Sequence, residues 1–162
     1  VRKLASILNS PFVGAIRNGA VEKIPVVDAV EATESPIEAQ LMAHITRYDF
    51  VIGQAGLTIK QAIDEARGHV GRIVVFPQAW IGDYRPDFLF LRASARGVTA
   101  LVAEADGKDW HYSDERQIAH DNLRLATFAK HRVFTMRFLG REIWKECGSV
   151  IAHIREFFDG AA

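Results

Sequence analysis

The sequence holds a single cysteine, Cys147, in 162 residues. That excludes an internal disulfide framework and any zinc site built on several cysteines. No apolar run approaches the ~20 residues that cross a bilayer. The first residues lack the basic-then-apolar pattern of a secretory leader, so the sequence reads as cytoplasmic. Neither sign of charge is in excess, with 20 Lys and Arg against 20 Asp and Glu. Total charge therefore gives no argument for nucleic acid, and only a local basic patch would. No phosphate-cradling P-loop, helix-turn-helix signature or zinc-finger spacing is present, and His44, His69, His111, His120, His131 and His153 are scattered. There is no internal repeat and no low-complexity tract.

What is present is the composition of a folded domain. Hydrophobic residues make up 49% and charged residues 25%, a balance that excludes a disordered chain. The length is that of one ordinary domain. Residues 1–33 read as an N-terminal arm or lead-in, and residues 34–162 as the domain proper. Ser35-Pro36-Ile37-Glu38 predicts a helix start. Ser35 is the N-cap, Pro36 the first helical residue, and Glu38 stands where a capping box needs it. A second helix is predicted near residues 58–67.

The period then changes. Arg72 to Phe76, Tyr84 to Arg92 and Val98 to Ala105 read as three strands, nearly continuous in apolar residues. Such runs suit strands covered on both faces. A helix is predicted from Ser113 to about Lys130, a fourth strand from Arg132 to Leu139, and closing helices over 141–146 and 150–158. The order αβββαβ implies an α/β fold, with a mixed four-stranded sheet flanked by helices.

Acids inside these strands break the pattern. Asp87 lies among aromatics in Tyr84-Arg85-Pro86-Asp87-Phe88, and Glu104 and Asp106 end the run Leu101-Val102-Ala103. A carboxylate at a sheet interior is costly unless it is paired or binds a metal. Glu104 and Asp106, two apart, project to one side, and Asp87 lies opposite them if its strand is the neighbour. Converging carboxylates form an oxygen-rich pocket suited to magnesium. The plainer alternative makes Glu104 and Asp106 exposed turn residues and salt-bridges Asp87 to Arg85 or Arg92. Lys108 and His111 follow at once. His111 suits a general base, and Lys108 suits a phosphate or hydroxide contact.

These residues resemble the restriction-endonuclease-like, or PD-(D/E)XK, superfamily, in the branch around the very-short-patch repair endonuclease and its uncharacterised relatives. Tyr84-Arg85-Pro86-Asp87-Phe88 is similar to the "R-P-D-F" strand of those relatives. Glu104-Ala105-Asp106-Gly107 followed by His111 resembles their "E-x-D-G…H" segment. Asp121-Asn122-Leu123-Arg124 fits a "D-x-x-R" on the next helix, and Arg137-Phe138 a closing "R-F". The resemblance spans roughly residues 34–158. It implies a restriction-endonuclease-like core and a magnesium-dependent DNA endonuclease, manganese substituting. Asp87, Glu104 and the carbonyl of Ala105 would hold the metal, Glu38 would reach the site from the first helix, His111 would be the base, and Asp121 would orient it. The superfamily's usual lysine position is Asp106 here, as it is also not lysine in the repair branch. That leaves Lys108 or His111 to assist the water. Gln78, Arg85 and Arg124 are the candidates for nucleic-acid contact. Paired cuts would require two sites and hence a dimer. The alternatives are a nuclease-fold module that binds DNA or protein with weak or no cleavage, and a nuclease directed at RNA.

Overall fold

The computed structural model describes residues 29–106 and 115–160. The chain runs through helix α1 (Pro36–Ile45), strand β1 (Val51–Ile52), helix α2 (Ile59–Ala66), a short 3-10 turn (Arg67–His69), strands β2 (Ile73–Pro77), β3 (Phe88–Ser94) and β4 (Gly97–Asp106), helix α3 (Glu115–Lys130), strand β5 (Val133–Leu139) and helix α4 (Gly140–Gly160). The sheet is five-stranded, in the order β1-β2-β3-β4-β5. β2, β3 and β4 form an antiparallel meander, while β1 and β5 join its edges in parallel.

The fold is thus α/β with a mixed sheet, with one strand more than the four predicted. The extra strand, β1, has two residues, too few to carry a period-two signal. The strand predicted from Tyr84 begins only at Phe88. The two closing helices predicted over 141–146 and 150–158 are one run, broken at Glu146 (φ −135°, ψ 36°), where the first was expected to end. Ala29, assigned by sequence to the lead-in, is buried in the core.

Both faces of the sheet are covered, which is why the central strands lack polar alternation. On one face Phe88, Phe90, Leu101 and Ala103 pack under Leu41, Met42 and Ile45 of α1 and Ile143, Val150, Ile151 and Ile154 of α4. On the other, Val74, Phe76, Leu89, Leu91 and Val102 meet Ala62 and Ala66 of α2 and Phe128 of α3. Burying each large side chain contributes about 1.5–3 kcal/mol. Thr58 and Gln61 form a complete capping box that fixes the start of α2. At the edge, the amide of Gly53 donates to the Val75 carbonyl at 2.9 Å, extending the β1–β2 pairing.

A Cβ at Gly53 would overlap three carbon atoms of the Phe76 ring. We therefore expect Gly53→Ala to cost about 1–3 kcal/mol by overpacking, read as a lower urea midpoint, and Phe76→Leu in the same background to recover part of that loss.

Candidate functional site

The strand register gathers polar residues into one row across the end of the sheet. Pro77 pairs with Phe88, and one step further the Gln78 amide donates to the Asp87 carbonyl at 2.9 Å. Phe88 pairs with Ala103, so the next pair along the same register is Asp87 and Glu104. Ala105 N–H then donates to Asp87 Oδ2 at 2.7 Å. Glu104 lies beside Arg137 of β5. The order across the sheet is Gln78, Asp87, Glu104, Arg137. Among the described residues, the buried polar or charged side chains are Glu38, Gln78 and Glu104, and all three meet here.

α1 brings the fourth acid. Ser35 Oγ accepts from the Glu38 amide at 3.2 Å, half of the expected capping box. The other half does not form. Glu38 Oε2 accepts from Gln78 Nε2 at 2.9 Å and from the Glu34 amide at 2.9 Å, because a buried amide competes for the carboxylate. Gln78 makes this contact from a left-handed backbone, φ 54°. Such conformations in non-glycine residues are strained and collect at functional sites.

Two electrostatic environments stand side by side. Glu104 is clamped by arginines: Arg124 Nη1 donates to Oε1 at 2.7 Å and Arg137 Nε to Oε2 at 3.0 Å. Asp121 closes the network, 3.4 Å from Arg124 and 3.6 Å from Arg137. Burial still raises the Glu104 carboxyl above its ordinary range, opposed by Arg137. Among the described residues Asp87 has no such clamp, and no salt bridge reaches Asp87 or Glu38. Burial pushes the Asp87 carboxyl up to about 7; the Ala105 amide works against this, and the charges of Glu38, Glu104 and Asp106 add to it. Burial also raises Glu38, against its hydrogen bonds to Ser35 and Gln78.

Glu38, Asp87, Glu104 and Asp106 are thus brought together, with Ala105 between the last two. The Asp87 bridge to Arg85 or Arg92 does not form. Arg85 pairs with Glu34, and Arg92 lies 3.6 Å from Asp159 at the far end of the sheet. Arg124, predicted to contact nucleic acid, is instead committed to Glu104 and Asp121. Asp121, predicted to orient His111, is held by Arg124 and Arg137. Gln78 spends its amide on Glu38 rather than presenting it to a phosphate. Lys108 and His111 lie outside the described residues. Sequence reasoning missed Arg137 as the second half of the clamp, although a lone arginine in the apolar strand Val133–Leu139 is the same anomaly that singled out Asp87.

Among the described residues no group of three or more His, Cys, Asp or Glu side chains has the arrangement of a metal site. The donor chemistry nevertheless suits a hard cation. Asp87 and Glu104 are neighbouring carboxylates, no cation of the described residues pairs with Asp87, and a cation beside it would offset the burial and the neighbouring negative charges that raise its pKa. A cavity of about 420 Å³ lies elsewhere, lined by Arg92, Ser94, Arg96 and Thr99 at the other end of β3 and β4, about 20 Å along the strands. Compared with known proteins, the chain matches no family model, no curated protein and no solved structure.

The raised Asp87 carboxyl makes stability depend on pH. The folded state binds this proton more tightly than the unfolded chain, so the associated stabilisation is complete below about pH 4 and is lost as pH rises through about 7. In chelator, the melting temperature should fall between pH 5 and pH 8. Asp87→Asn, which keeps an oxygen for the Ala105 amide, should flatten that fall and exceed the wild type at pH 8 by about 1 kcal/mol or more.

Proposed function

We propose that the chain is a magnesium-dependent DNA endonuclease with a restriction-endonuclease-like core, working in the cytoplasm. The observation that carries this reading is the in-register pair of Asp87 and Glu104 at the ends of adjacent antiparallel strands, with Glu38 and Asp106 adding negative charge around Asp87. The resemblance of Arg85-Pro86-Asp87-Phe88 and Glu104-Ala105-Asp106-Gly107 to nuclease motifs points the same way.

In this reading Asp87, Glu104 and the carbonyl of Ala105 hold magnesium or manganese. The ion, when bound, polarises the scissile phosphate and lowers the pKa of water. The chain's own groups do the rest. Glu38 and Gln78 brace the Asp87 end of the sheet. Arg124 and Arg137 fix the Glu104 carboxylate, which costs less reorganisation than orienting a free side chain. His111, which follows β4 in sequence, takes the proton from the attacking water, or Lys108 assists by contacting the phosphate or steadying the hydroxide. Arg85, exposed beside the site, supplies phosphate contact.

A second reading is favoured by one observation. Both Glu104 oxygens are taken up by arginines, and Asp106 stands at the superfamily's lysine position. A module with that arrangement binds DNA or a protein and cleaves weakly or not at all. Plasmid nicking separates the two. The first reading expects nicking with magnesium or manganese, none in chelator, and a loss of about a hundredfold or more in Asp87→Ala and Glu104→Gln, each variant checked for its native melting transition. Binding of DNA without nicking, and without magnesium or manganese binding by calorimetry, favours the module. Parallel RNA substrates test the RNA-directed alternative.

A further inference from the structure

The loop joining β2 to β3 continues the sheet's own register. After Gln78 pairs with Asp87, Trp80 falls opposite Arg85, and Ile81 bridges Tyr84, leaving Gly82-Asp83 as the two-residue tip. Residues 78–87 are therefore a hairpin extension that projects past the carboxylate row. Gly82, at φ 61°, supplies the left-handed turn. Its flank is anchored, because the Tyr84 ring packs edge-on against His120 and Phe128 of α3, at 5.5 and 6.2 Å between centroids.

Trp80 stands out on this extension. Its amide donates to Leu57 O at 2.7 Å and its carbonyl accepts from the Ile59 amide at 2.8 Å, a parallel bridge to Thr58 that fixes its backbone along one edge. Yet the residue is 41% exposed. The Arg85 guanidinium lies over the indole, 5.5 Å from the ring centroid, and also forms an exposed ion pair with Glu34. Exposed pairs of that kind are weak and exchange readily. An exposed indole capped by an exchangeable guanidinium matches the two halves of a nucleotide, provided the base takes the ring's other face or displaces Arg85 onto the phosphate. The ring offers a stacking surface for a base, and the cation offers a contact for its phosphate. The position, two residues from Gln78 on one strand and two from Asp87 on the other, sets it about 7 Å along the strand from the carboxylate row.

We propose that Trp80 and Arg85 form a stacking platform for an unpaired nucleobase, so that the site acts on nucleic acid with single-stranded character, such as a flap, a gap or a frayed end. A paired base inside a duplex has both faces already stacked and cannot use the indole. This proposal rests on the nuclease reading for its substrate, while its test is binding without cleavage.

The experiment measures fluorescence anisotropy of a dye-labelled single strand and a blunt duplex of the same sequence, in chelator, alongside plasmid nicking in magnesium. One stacked base is worth roughly five- to a hundredfold in affinity. Trp80→Ala should weaken single-strand binding by about tenfold or more and leave duplex binding nearly unchanged. Trp80→Phe, which keeps a ring and guards against a folding failure, should fall between. Arg85→Gln should weaken both substrates and lower the salt slope by about one. Wild-type affinity of Trp80→Ala for the single strand overturns the platform. So does a wild type that nicks plasmid yet binds the duplex more tightly, and in both of these cases the nuclease reading survives. A wild type that neither binds nor nicks overturns both.

Discussion

Burying carboxylates side by side is the constraint on which the rest of this molecule turns. A tight apolar core covers both faces of the sheet, and at one end that core gives way to Glu38, Asp87 and Glu104. Each acid there must find a donor or hold a proton. The chain solves the problem in two ways. Around Glu104 it spends two arginines and a second acid, Asp121. Around Asp87 the described residues supply a backbone amide and no cation, and burial pushes its carboxyl up to about 7. The contrast matters because a clamped carboxylate is held in one orientation, whereas an acid left short of positive charge among the described residues is receptive to a cation.

The clamp is itself not fully satisfied. Asp121 Oδ2 and Arg124 Nε are buried without a hydrogen-bond partner among the described residues. Breaking such a network on one side is strongly destabilising, even where replacing all of it with apolar groups would not be. The network also ties α3 to the sheet through Asp121 and Arg124. The helix that carries the Tyr84 contacts is therefore linked to the same row of strand residues that holds Asp87.

Much of this was legible in the sequence, because burial on both faces writes an unusually plain signal. The apolar runs through Val75, Phe90 and Val102 gave the central strands, and acids interrupting such runs marked Asp87 and Glu104 as misplaced. Their adjacency followed from the short turn between Ser94 and Gly97. What escaped had no local signature. β1 is too short to show a period. The destination of the Glu38 carboxylate depends on Gln78, 40 residues away in sequence. Arg124, a candidate for nucleic-acid contact by sequence, pairs with Glu104 and Asp121, a destination set by helix docking rather than by local sequence. Gln78 was legible only as a candidate for nucleic-acid contact, since nothing nearby announces a left-handed backbone in a glutamine.

The meander's alternation has a consequence for how the chain tolerates changes in length. Seven residue pairs join β3 to β4, from Phe88 with Ala103 to Ser94 with Gly97. Offsetting that ladder by one residue would turn one strand's side chains to the opposite face, parting Asp87 from Glu104 and driving phenylalanine and leucine into mismatched layers. Insertions between these strands are thus accommodated by looping out at the Ala95-Arg96 tip and not by sliding. The chemistry at one end of the ladder is in this sense metered by the turn at the other.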